Sequence, residues 1–130
     1  MKTNFSSLDV WKKSFDYAIN IYNVASKLPA EEKYALASQL KRSASSIPAN
    51  IAEGKGRNGD KEFKRFLYIA RGSLEENKSH LLLAKELDYI SNGDFLKIKN
   101  QAEEVGKFLN GILRAVNRKP WSLSIQLLAF

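Results

Sequence analysis

The chain contains no cysteine, which removes disulfides, thiolate nucleophiles and sulfur-built zinc sites. Its one histidine, His80, is too little for a transition-metal centre. No window approaches the ~20 apolar residues that span a bilayer. The opening MKTNFSSLDVWKK lacks the apolar stretch of a secretory signal, so a cytoplasmic protein with no membrane partner is expected. Catalytic constellations are missing too. No Glu-x-x-His pair of the di-iron type occurs, and the adjacent carboxylates Glu75-Glu76 and Glu103-Glu104 would point about 100° apart on a helix. No catalytic residue, metal ligand or cofactor is expected, and the chain reads as a non-enzyme.

What the sequence does contain is helical periodicity. At 130 residues it is one domain with a single core. Leu8, Trp11, Phe15, Ala18, Tyr22 and Ala25 step by three and four, with Ser6 and Asp9 as a cap pair and Phe5 and Val10 as a hydrophobic staple. A second stripe, Ala37, Leu40, Ala44, Ile47 and Ile51, follows Leu28-Pro29 and ends at Gly54, with Glu31 and Glu32 favouring its N-terminal dipole. The third runs Phe63, Leu67, Ala70, Leu74, Asn77, Leu81 and Ala84. The fourth runs Phe95, Ile98, Ala102, Val105, Leu109, Ile112 and Val116, capped by Ser91 and Asp94. A spacing of 3.5 residues favours nearly antiparallel, slightly supercoiled packing, and short connections make successive helices neighbours. The expected fold is all-α: an up-down-up-down antiparallel four-helix bundle over residues 1–119, followed by a short apolar tail, 120–130.

Two residues break the pattern. Pro48 sits inside the second stripe, where it removes a backbone donor and costs ~3 kcal/mol, so the helix is expected to kink or to break there. A bend would splay Asn50, Glu53 and the following basic turn toward a partner. Asn77 occupies an apolar position, where an unpaired buried amide costs roughly 1–3 kcal/mol. Partial exposure is the expectation; the other reading is a polar residue that fixes register or oligomeric state.

Charge is concentrated in one place. Between Lys41 and Arg71 there are eight Lys/Arg and three acids, most of the excess in a chain of net charge +7, and such a local field suits a polyanion. Gly54-Lys55-Gly56-Arg57-Asn58-Gly59 spells G-x-G-x-x-G, but a helix rather than a strand precedes it, which argues against a dinucleotide fold. The run suits a turn, with Gly54 at positive φ as the helix C-cap; it is expected either to be simply solvated or, with Lys55, Arg57 and Lys61 near the start of the third helix, to hold a phosphate. Lys64, Arg71, Lys78 and Lys85 recur every seven residues along one ridge, joined by Lys61 and Arg65 at its start, while Glu75 and Glu86 offset the lower half. Lys55, Arg57, Lys61, Lys64, Arg65 and Arg71 are therefore the candidate nucleic-acid contacts. Arg42 and Glu53 flank Pro48 and are expected to form a structural ion-pair network with Asn50; the other reading leaves Arg42 exposed to a phosphate. Trp11, Phe15, Tyr17 and Tyr22 are expected in the core or at an interface rather than stacking on bases.

The segments LDVWKKSFDYAINIY, LPAEEKYALASQLKRSASSIPANIAEGKGR, KEFKRFLYIARGSLEE and LLLAKELDYIS resemble the four-helix-bundle proteins encoded by intervening sequences in 23S ribosomal RNA genes. That family is similar to the accessory variability protein of diversity-generating retroelements. The resemblance covers roughly residues 5–116, and its specific part is SIPANIAEG followed by GR and KEFKRFL. It implies a homopentameric ring of basic bundles, with nucleic acid and a reverse transcriptase as partners of the retroelement relatives. Gly59 and Asn77 depart from the family's usual Ser/Thr and Leu.

The tail from Pro120 is apolar, and Trp121 with its followers is expected to dock on the bundle or on a neighbouring subunit. The functional expectation is a homo-oligomeric nucleic-acid-binding scaffold or accessory protein, RNA favoured over DNA. The alternative is a protein-interaction module that grips an acidic partner such as a polymerase or reverse transcriptase subunit.

Overall fold

In a computed structural model the chain forms four long helices: α1 (Asp9–Ser26), α2 (Leu36–Gly56), α3 (Asp60–Glu86) and α4 (Asn92–Asn117). The structure describes residues 4–118, so Trp121 and the docking expected of the tail lie outside the described residues. Each helix packs on two neighbours, in the cycle α1–α2–α3–α4–α1, as an up-down-up-down bundle requires.

The stripes of α2 and α3 form the core as the spacing predicts. Leu40, Ala44, Ile47 and Ile51 face Leu67, Ala70, Leu74 and Leu81, all buried. In α4 the buried set is Ile98, Ala102, Val105, Leu109, Leu113 and Val116, with Leu113 replacing Ile112. Helix α1 departs from expectation. Its buried face is Val10, Ser14, Tyr17, Ala18, Ile21, Val24 and Ala25, so Phe15 and Tyr22 point outward, 43% and 44% exposed. The helix is apolar on two faces, and spacing alone cannot say which one meets the core.

Asn77 settles the choice. It is fully buried, not partly exposed, and every hydrogen-bonding group of its amide has a partner. The Tyr17 hydroxyl donates to Asn77 Oδ1 at 2.6 Å, and Asn77 Nδ2 donates to the Leu40 carbonyl and to Ser43 Oγ, both at 2.9 Å. Ser43 Oγ in turn donates to the Gln39 carbonyl at 2.7 Å. One amide thus ties α1, α2 and α3 across the centre, and it draws Tyr17 inward. Burial holds the Tyr17 phenol well above the usual tyrosine pKa.

The ends follow local rules, with corrections. The Asn4 side chain caps a 3-10 turn at Phe5–Ser7, and α1 starts without a side-chain cap, so the Ser6–Asp9 pair does not form. Glu32 accepts from the Leu36 amide and from the Tyr89 hydroxyl, joining two turns at one end of the bundle. Asp88, at φ 62°, closes α3: its amide reaches the Lys85 carbonyl and that of Tyr89 reaches Ala84, a Schellman pattern. Ser91 caps α4 by accepting from the Asp94 amide, as the sequence suggests. Pro48 does not break α2, which runs on to Gly56.

Replacing Asn77 by Leu leaves the Tyr17 hydroxyl as the one orphaned group, because Ser43 and the Leu40 carbonyl keep partners within α2. The expected loss is about 1–3 kcal/mol of unfolding free energy in urea. Adding Tyr17→Phe recovers part of it, a coupling that a double-mutant cycle reads directly. The raised phenol pKa adds stability that is complete below the unfolded value of about 10. That share is lost as pH rises above it, because only the unfolded chain then releases the proton. Tyr17→Phe should flatten this part of the alkaline stability profile.

Candidate nucleic-acid interface

The turn between α2 and α3 is held tight by a glycine, though not in the way spacing suggests. Gly54 is a buried residue inside α2, without positive φ, rather than its C-cap. A Cβ at that position would lie 2.6 Å from Phe66 Cβ and 3.3 Å from the Phe63 carbonyl oxygen. Hydrogen at Gly54 therefore lets the first turn of α3 press directly against α2. The reversal is made by Gly59 at φ 101°, and the Phe63 amide bonds back to its carbonyl at 3.2 Å. This is a helix–turn–helix joint with no strand before it, and the G-x-G-x-x-G run is no dinucleotide motif.

Around this joint the structure gathers five of the six candidate cations, three of them on two rings. The guanidinium carbons of Arg57 and Arg65 lie 5.2 and 4.5 Å from the centroid of the buried Phe66 ring. Lys55 Nζ lies 5.7 Å from that of Phe63. Such contacts orient cations without neutralising them. Carboxylates offset some of the charge: Glu53 pairs with Arg57 at 3.1 Å and Glu62 with Arg65 at 3.0 Å. The hydrogen bond from Arg65 holds the Glu62 carboxyl below its ordinary pKa. Both arginines remain about half exposed, so each keeps donors for another anion. Lys61 is exposed and Lys64 half-buried, and neither belongs to an ion pair or ring contact among the described residues. The joint is bordered by a cleft of about 320 Å³ lined by Lys55, Arg57, Asn58 and Asp60 among others.

Arg71 stands apart, two turns along α3. It lies over the Tyr68 ring at 4.8 Å and donates to Asn110 Oδ1 at 3.2 Å. Lys78 pairs with Glu75, and Lys85 lies over Phe95, so the heptad ridge runs along the α4 side of α3 and is partly neutralised lower down. The expected network of Arg42, Asn50 and Glu53 is not assembled. Arg42 instead pairs with Glu76 on α3, which also meets His80, and its hydrogen bond leads in lowering the Glu76 pKa. Asn50 turns back to the Ser46 carbonyl at 2.7 Å, and Ser46 Oγ meets Ser73 Oγ at 2.7 Å.

Sequence reasoning missed the surface next to the joint. Trp11 stacks on Phe15 (4.6 Å, 23°), and Phe5 stands edge-on to Trp11 at 5.1 Å. With Ile19 and Tyr22 they wall a groove of about 550 Å³ whose floor includes Pro48, Ala49 and Ala52 of α2. The signal was the second apolar face of α1, visible once Tyr17 is assigned inward.

Residues 6–111 match the model of the 23S rRNA-intervening sequence protein family. The chain belongs to that family. It is also similar in structure to a protein of unknown function from the S23 ribosomal protein family of Bacteroides thetaiotaomicron VPI-5482. Their TM-score is 0.75 at 31% identity, over 80% of this chain and 97% of that one. No curated protein matches the chain. Neither name carries an enzymatic activity, and no described helix is long and apolar enough to cross a membrane. The stretch that carried the resemblance, SIPANIAEG with KEFKRFL, supplies both sides of the close approach at Gly54.

Gly54→Ala should therefore lower stability by about 1–3 kcal/mol, because the methyl group meets a Cβ and a backbone carbonyl rather than a yielding side-chain end. Gly56→Ala, with open space around the added carbon, should be neutral or mildly stabilising. Thermal unfolding of the two variants distinguishes these outcomes.

Proposed function

We propose that this member of the 23S rRNA-intervening sequence protein family is a non-enzymatic, homo-oligomeric nucleic-acid-binding scaffold, with RNA favoured over DNA. The observation that carries the reading is the set of cations at the α2–α3 joint. Arg57 and Arg65 are oriented on either hand by one buried ring while about half exposed, and Lys61 and Lys64 stand beside them. Oriented, partly exposed guanidinium groups suit phosphate, which accepts two parallel N–H donors. The companion proposal, drawn from the resemblance, is a ring of five bundles like that of the retroelement accessory protein. A ring would present the joint five times and convert weak contacts into avidity.

Titrating a labelled structured RNA at several salt concentrations tests this. Five cations engaged with phosphates give a log–log salt slope of about −3.5 at ~0.7 per phosphate on single strands. Changing Lys55, Arg57, Lys61, Lys64 and Arg65 to Gln should reduce the slope toward zero and weaken binding at low salt most. Equal binding by the variant removes the proposal. A protein partner that stays bound after nuclease treatment, with no RNA affinity, would favour the acidic-protein reading instead.

A further inference from the structure

The outward aromatic face of α1 runs into the cationic joint. The aromatic groove shares Phe5 and Ala52 with a second hollow of about 440 Å³, lined by Asn4, Lys55, Gly56, Arg57 and Asn58. That hollow shares Lys55, Arg57 and Asn58 with the cleft at the joint. The three form one track along α2. Its far end also carries a cation, since Lys41 Nζ sits 5.7 Å from the centroid of the Tyr22 ring. Positive groups therefore stand at both ends of an aromatic wall, and among the described residues no carboxylate lines either the groove or the hollow beside it.

We infer that this track is a binding site for a single-stranded nucleic-acid segment, its bases lying against the exposed rings of Phe15 and Tyr22 and its phosphates reaching Lys41 at one end and Lys55 and Arg57 at the other. The inference rests on the nucleic-acid reading above and narrows it to unpaired strands. Two observations select this occupant: the complementary charge at both ends, and the continuity of the groove with the cationic joint. Aromatic faces accept any base, and flanking cations follow the backbone, which is how sequence-tolerant single-strand sites are built. The sixteen residues of α2 from Lys41 to Gly56 span about 24 Å of helix axis, room for about seven stacked nucleotides at ~3.4 Å each. A duplex keeps its bases paired and cannot offer their faces to the rings.

The test uses the full chain carrying Trp121→Phe, so that emission reports on Trp11. It is titrated with a 12-nucleotide oligo(U) and with a 12-base-pair RNA duplex at two salt concentrations. The expected result is quenching of Trp11 and single-strand affinity at least about tenfold above duplex affinity. Phe15→Ala and Tyr22→Ala should each weaken oligo(U) binding about 5- to 100-fold while leaving duplex binding within about twofold. Both rings are over two-fifths exposed, and unchanged circular dichroism for either variant keeps the test valid. If the ring variants bind oligo(U) like the parent while the five-glutamine variant loses it, the groove inference fails and the cationic joint stands. If they instead disperse an assembly of copies in sedimentation with RNA affinity unchanged, the groove is a contact between copies and the inference is overturned. Absence of binding to either RNA overturns both readings together.

Discussion

A single buried amide sets the geometry on which the remaining structure depends. Asn77 accepts from Tyr17 of α1 and donates to two groups of α2, so three helices share one fixed point at mid-core. An apolar side chain there would permit small rotations of α1, because that helix is apolar on two sides. The directional bonds do not permit them: with the Tyr17 phenol inside, Phe15 and Tyr22, some 140–200° away around the helix, must face out. The position of the amide in the third helix thus decides what the first helix presents to solvent. Such an arrangement gains little net stability over a well-packed apolar core, and its effect lies in specificity.

The same logic explains which parts could be read from the amino-acid sequence. The stripes of α2, α3 and α4 were legible because each has one apolar face, and the cap at Ser91 because it is a local hydrogen bond. The outward turn of Phe15 and Tyr22 was not, since it depends on a partner sixty residues from Tyr17. Gly54 was legible as a special residue but not in its role. A helix end and a close approach both call for glycine, and only the position of Phe66 separates them. The cationic cluster stood out in the charge pattern, whereas its bracing by Phe66 and Phe63 required the fold. Arg42, Asn50 and Glu53 lie on one helix and suggested one network; each instead found a nearer partner, across the α2–α3 seam or one turn away.

The joint between α2 and α3 therefore combines two features that usually conflict. It is tightly packed, with glycine against a phenylalanine Cβ, and strongly basic at its surface. Packing fixes the backbone, and the rings fix the cations, so charges of like sign are held close together and only partly offset, by ion pairs that include Glu53 and Glu62. Mutual repulsion among such groups is a cost that an arriving polyanion relieves. Membership of the 23S rRNA-intervening sequence protein family accounts for the fold; the chemistry proposed for it rests on this joint.

The most direct measurement of that claim follows the arginine side-chain Nε–Hε resonances of the isotopically labelled protein as single-stranded RNA is added. The account predicts that the signals of Arg57 and Arg65 shift saturably and return toward their starting positions as salt is raised. Unmoved Arg57 and Arg65 signals, with RNA demonstrably bound, would contradict it.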